Sequence, residues 1–150
     1  MRHWPLIALL CAAAPVAAQD SLSDRLRALA QPAPVDPYAD EISADLARIE
    51  AEAEALFSPD DASFGPPDAP IAIALFISKS CTDCSAAVRD LLALSERLGI
   101  GAKLIDVSQS ESAQQMMARL TLDVTPSYVM RDKLIRGQMP ALVLERYLSP

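Results

Sequence analysis

Residues 71 to 77, "IAIALFI", are an unbroken apolar run, and the chain passes from it almost directly into "SCTDCSAAVRDLL". A β-rich run of this length, with no ionisable group, reads as a strand buried on both faces. The pattern that follows predicts a helix over residues 82 to 98, with Cys84, Val88, Leu91, Leu92, Ser95 and Leu98 on one face. Gly99 stands where a left-handed residue closes a helix. Cys81 and Cys84 sit at this strand-to-helix junction with two residues between them. Such a pair can exchange disulfides, supply half of a metal site, or act as an inert staple.

The N-terminus bears on that choice. Arg2, the short apolar stretch "LIALLCAAAPVAA" and the small residues Val16 and Ala18 read as a secretory signal over residues 1 to 18, cleaved after Ala18. The sole histidine (His3), the sole tryptophan (Trp4) and the third cysteine (Cys11) all lie inside it. The mature chain then has no histidine, which excludes Ser-His-Asp and Cys-His catalysis and histidine metal ligation. One of the 13 basic residues also leaves with the signal, so 12 face 20 acidic ones, a formal charge of −8. An acidic chain without a basic stripe is a poor partner for nucleic acid or an anionic membrane. Export predicts a periplasmic protein.

Two cysteines in an oxidising compartment are expected to pair. A structural staple stabilises most when it closes a long loop, and a loop with two residues between its cysteines constrains almost nothing. Structural zinc needs four ligands, and two cysteines alone do not supply them. A thiol at a helix N-terminus is exposed to unpaired N–H groups and the helix dipole, which favour the thiolate. Cys81 is then the nucleophile, and Cys84, one turn later on the core-facing stripe, the resolving thiol. No metal and no cofactor is called for.

Residues 19 to 57 read as a helical extension. Leu22, Leu26 and Leu29 form one stripe, broken by Pro32, Pro34 and Pro37. From Asp40 a second pattern places Ile42, Leu46, Ile49, Ala53 and Leu56 at alternating spacings of four and three, suited either to docking on the same chain or to self-association. Residues 58 to 70 are a Pro-rich connector. Residues 71 to 150 then read as a domain of their own. Within it, after the first strand and helix, "GAKLIDV" predicts a strand and "SQSESAQQMMARLTL" a serine-capped helix. "SYVM" and "KLIRG" predict a hairpin, and "MPALVLERYL" a last helix with Pro140 near its start. The order β-α-β-α-β-β-α makes an α/β fold with helices on both faces, the thioredoxin core.

"FGPPDAPIAIALFISKSCTDC" and "VTPSYVMRDKLIRGQMPALVLERYL" together resemble the DsbA-like family of thiol–disulfide oxidoreductases of the periplasm, over roughly residues 56 to 150. The resemblance implies Cys81 as nucleophile and Cys84 as resolving thiol. It also implies Pro126 as a cis-proline facing them, with Thr125 presenting its backbone to an extended substrate. Implied partners are exported cysteine-containing proteins and a membrane redox partner that resets the pair.

The chain departs from the family in several places. Only 41 residues separate Cys84 from Pro126, so the helical insertion of many relatives is missing. The buried acid that many relatives carry on the first strand is also absent. Asp83, at roughly 7 Å from a Cys81 thiolate, opposes it by about 0.6 to 2.4 kcal/mol at an effective dielectric between ~80 and ~20. Lys79 offsets part of this. The expected poise is that of a reductase or isomerase rather than a strong oxidase. The competing expectation is a chaperone or peptide-binding module whose disulfide is structural.

Overall fold

The apolar run becomes β1 (Ile71–Ile77), an inner strand of a four-stranded sheet in the computed structural model, which describes Arg25, Leu26 and residues 36–149. The other elements are α1 (Ala39–Ala51), α2 (Ala53–Phe57), α3 (Cys84–Leu98), β2 (Gly101–Asp106), α4 (Glu111–Arg119), β3 (Ser127–Met130), β4 (Leu134–Arg136) and α5 (Ala141–Leu148). The sheet order is β2-β1-β3-β4. β1 runs parallel to β2 and antiparallel to β3, and β4 returns antiparallel to β3. This is a thioredoxin-like fold preceded by helices.

Both faces of β1 are covered, which is why its sequence shows no polar alternation. Ala74 and Phe76 join Ile49, Leu56, Phe57, Ile105, Ala113, Leu120 and Val129 in one core. Ile73 and Leu75 face the other way, against Ala87, Leu91 and Leu94 of α3, Tyr128 and Leu144 of α5. Each large side chain so enclosed contributes about 1.5–3 kcal/mol through the area withdrawn from water.

The chain forms two units, Met1–Asp36 and Pro37–Pro150. In the first unit Arg25 and Leu26 are helical and exposed. The signal sequence and the rest of the Leu22–Leu29 stripe lie outside the described residues. The second amphipathic stretch belongs with the sheet: Ile49, Leu56 and Phe57 are buried in its core. Its helix is interrupted at Glu52, where φ is −107° and ψ is 4°. Burial sets in before the break: Ile49 is 2% exposed and Leu56 0%, while Ile42 and Leu46, nearer the start of α1, remain 49% and 40% exposed. Docking thus accounts for the later half of the 4-3 pattern.

Polar ties hold this extension, among them the contacts of Arg136 on β4 with the Asp45 carboxylate of α1 at 3.3 and 3.4 Å. The Glu52 carboxylate takes both Nε and Nη2 of Arg119 on α4. Lys103 Nζ donates to Ala55 O (2.7 Å) and to Asp61 Oδ2 (2.8 Å). The connector does not merely link: Phe64 and Ala102 exchange backbone hydrogen bonds of 3.0 Å, and Leu104 N donates to Ser63 Oγ. Gly65 makes this possible. Its φ is +104°, and a Cβ there would lie 2.2 Å from Ile100 O.

α3 differs from its sequence expectation at its start and on its face. It begins at Cys84, with Asp83 as N-cap residue, so Cys81 and Thr82 stay in the preceding loop. Cys81 N donates to Ser78 O at 3.2 Å, a turn that delays the helix by two residues. Leu92 is 38% exposed, whereas Ala87 and Leu94 are buried. One residue advances about 100° around a helix, so Leu92 leaves the stripe held by Leu91, while Ala87 and Leu94, four residues before and three after Leu91, stay on it. α4 is capped as its sequence suggested: Ser110 Oγ accepts from Ala113 N at 3.0 Å.

Candidate redox-active site

The parallel and antiparallel pairings of β1 bring three loops to one end of the sheet. Phe76 pairs with Ser127, so the residues after β1 and those before β3 emerge side by side. Ile77 pairs with Asp106, so the loop after β2 joins them. Cys81 and Cys84 form a disulfide with a Cα–Cα separation of 5.4 Å. Cys81 is half-buried and Cys84 is 5% exposed, the difference that a loop position and a core-facing helix position produce.

Side-chain hydroxyls fasten these loops together. Ser78 Oγ lies 2.8 Å from Thr125 Oγ1, linking the cysteine loop to the loop before β3. On the opposite side Lys79 N donates to Ser108 Oγ at 2.8 Å, and Val107 N donates to Ile77 O at 2.9 Å. The Thr125–Pro126 peptide is cis. Ser127 is fully buried and donates its hydroxyl to Val124 O at 2.7 Å, which folds this loop back on itself and leaves Val124 43% exposed.

Among the residues singled out by sequence, Cys81, Cys84 and Lys79 line a common groove, and Thr125 and Pro126 stand on the other flank of the cysteine loop. Asp83 is exposed and makes no capping bond, and it does not line the groove. Ser78, Ser108, Arg89, Leu104 and Asp106 were not singled out, and Val88 was read only as part of the helix's core-facing stripe. The Ser78–Thr125 contact spans 47 residues, and no local pattern announces it. The Leu104–Asp106 alternation was visible as a strand, but nothing in it marked which end of the strand would meet the cysteines.

The groove holds about 550 Å³ on the β2 side of the disulfide. Ile77, Val88 and Leu104 supply apolar walls, with Lys79, Arg89 and Asp106 as its charged members. The Asp106 carboxyl is held below its ordinary value, first by the Ser108 backbone N–H at 2.8 Å and further by Gln109 and the nearby Lys79 charge. Burial opposes this shift. Its two oxygens are thus already engaged. Among the described residues no group of acids, cysteines or histidines is arranged to hold a metal ion, and no helix is long and apolar enough to cross a membrane.

Chemically the site offers a half-buried cysteine, a buried one bonded to it, and beside them a cis-proline loop that is exposed at Val124, half-exposed at Thr125 and buried at Pro126. No family model matches the chain, and no curated protein matches it in sequence. Among solved structures, a linker-deletion mutant of ScsC from Proteus mirabilis aligns with a TM-score of 0.62 at 13% identity, over 91% of this chain and 96% of that one. At that identity the likeness is one of fold: this chain is a thioredoxin-like α/β protein with an N-terminal helical extension and a cysteine pair after its first strand.

Proposed function

We propose that the protein is an exported thiol–disulfide oxidoreductase of the DsbA-like family, in a short form without the helical insertion. The supporting observation is the Cys81–Cys84 disulfide at the end of β1, tied through Ser78 to a cis Thr125–Pro126 loop. A pair of thiols beside a loop that can present backbone at Thr125 is what exchange with an extended client requires.

In the reduced protein the Cys81 thiolate attacks one sulfur of a client disulfide. The client S–S bond breaks as the Cys81–client bond forms, and the released client thiolate takes a proton from water. Cys84, its own proton lost to water, attacks the Cys81 sulfur. The Cys81–Cys84 bond forms, the Cys81–client bond breaks, and the second client thiolate leaves. The client has gained two electrons and the protein has lost two. Thr125 presents its backbone to the client, and Pro126 keeps the loop beside the cysteines.

A membrane dithiol partner returns the two electrons. Clients are exported cysteine-containing proteins, and the compartment is the periplasm, reached through the signal of residues 1 to 18. Asp83, exposed and uncapped two residues from Cys81, opposes its thiolate, with Lys79 offsetting part of that charge. This favours a reductase or isomerase poise.

Insulin reduction tests the reading: Cys81→Ser is expected to abolish turnover, and Cys84→Ser to accumulate mixed disulfides. An unchanged rate in the Cys81 variant would sink it. Equilibration against glutathione tests the poise, and a potential near −120 mV, that of a strong oxidant, would overturn it.

A further inference from the structure

We propose that the groove on the β2 side of the disulfide is a client subsite that takes an apolar side chain with an acidic neighbour. The proposal rests on the oxidoreductase reading above and adds to it a substrate preference.

The disulfide has two unlike flanks. Ser78 joins the cysteine loop to Thr125 on the β3 side. A client held there and bonded to Cys81 must carry one of its ends across to the β2 side, where the groove of about 550 Å³ opens. That volume lies within the range of small-ligand pockets, enough for one or two side chains. Ile77, Val88 and Leu104 give it an apolar lining, so a bulky apolar residue gains area burial there that a serine does not.

Charge then decides the neighbour. The chain carries a net −7, yet this groove brings together Lys79 and Arg89. Asp106, its acidic member, already accepts from Ser108 N and Gln109 Nε2. Among the described residues neither Lys79 nor Arg89 closes an ion pair. Lys79 is further held in place at its backbone, where its N–H donates to Ser108 Oγ. Lys79 and Arg89 against the one carboxylate of Asp106 leave the groove with one positive charge in excess, which favours a carboxylate on the client and disfavours an ammonium.

The test uses the reduced full-length protein and peptides of one length, each with a single cysteine in mixed disulfide with neutral 2-mercaptoethanol. The flank next to that cysteine is Leu-Glu, Leu-Lys, Ser-Glu or Ser-Lys, placed before and after it in turn. The second-order exchange rate is expected to favour Leu over Ser by about tenfold, the lower end of a buried leucine's gain. Glu is expected to beat Lys by about threefold at low salt, and the ratio to shrink at 1 M salt. Arg89→Glu is expected to narrow or invert the Glu-to-Lys ratio, and the wild-type series carries the test even without that variant. Bis(2-hydroxyethyl) disulfide, which has neither an apolar side chain nor a charge to place in the groove, separates the two claims. If it exchanges faster than with free cysteine while the peptides are indifferent to their flanks, the subsite is wrong and the oxidoreductase reading stands. If neither exchanges faster than with free cysteine, both fall.

Discussion

Ser78 occupies the pivot of the candidate site, because its hydroxyl is the side-chain link between the cysteine loop and the cis-proline loop. Ser78→Ala removes that bond and is expected to cost about 0.5–1.5 kcal/mol of stability, read from denaturant unfolding. Exchange with peptides should slow more than exchange with bis(2-hydroxyethyl) disulfide, since only the peptide uses both loops. Ser78→Thr restores a hydroxyl and should recover most of the loss; equal slowing of both substrates would count against the positioning role. The cysteines could be read from sequence because two thiols three apart after a strand are a chemical statement in themselves. Ser78 could not, because its partner lies 47 residues away and a serine after a strand is commonplace. Asp106 and Arg89 were hidden for the same reason: their place beside the disulfide is set by the β1–β2 register and the rotation of α3, not by neighbours in the chain.

At the scale of elements, α1 and α2 act as an outer layer joined to the sheet by burial and by charge. Leu56 is fully buried, so Leu56→Ala is expected to cost about 2–5 kcal/mol. Ile42→Ala, at a half-exposed position of the same stripe, should stay within about 0.5 kcal/mol, and thermal melts of the two variants compare them directly. The 4-3 spacing alone treated these positions as equal; the core covers the stripe only from Ile49 onward and leaves Ile42 outside it, and no proline or glycine in "ARIEAEAEALF" announced the break at Glu52. Glu52 also sets a pH dependence. Its hydrogen bond from Arg119 lowers its pKa below the ordinary 4.5, against the opposing effect of burial. A group depressed on folding stabilises fully above its unfolded value and loses that contribution as pH falls through its folded one. The stability gap between wild type and Glu52→Gln is therefore expected to be full above about pH 5.5 and to close as the solution is acidified below pH 4.5. A gap that widens in acid would contradict the pairing.

For the whole molecule, topology was the most legible level: an unbroken apolar run, two helical patterns and a closing hairpin leave few ways to arrange a sheet of order β2-β1-β3-β4. Assembly was less so, because an apolar stripe looks the same whether it covers its own core or another copy. With Ile49, Leu56 and Phe57 spent inside the Pro37–Pro150 unit, only Ile42 and Leu46 of that stripe are left exposed for a second copy. Light scattering is expected to find the mature chain monomeric; a larger mass that falls to the monomer's in Ile42→Glu/Leu46→Glu would restore self-association through this helix. The connector along β2 has a wider meaning for a protein that handles unfolded clients. An open sheet edge is a template on which extended chains stack. By filling part of that edge with Ser63 and Phe64, the molecule meets a client through a sulfur, one loop and a side-chain groove, and offers it less backbone to polymerise on.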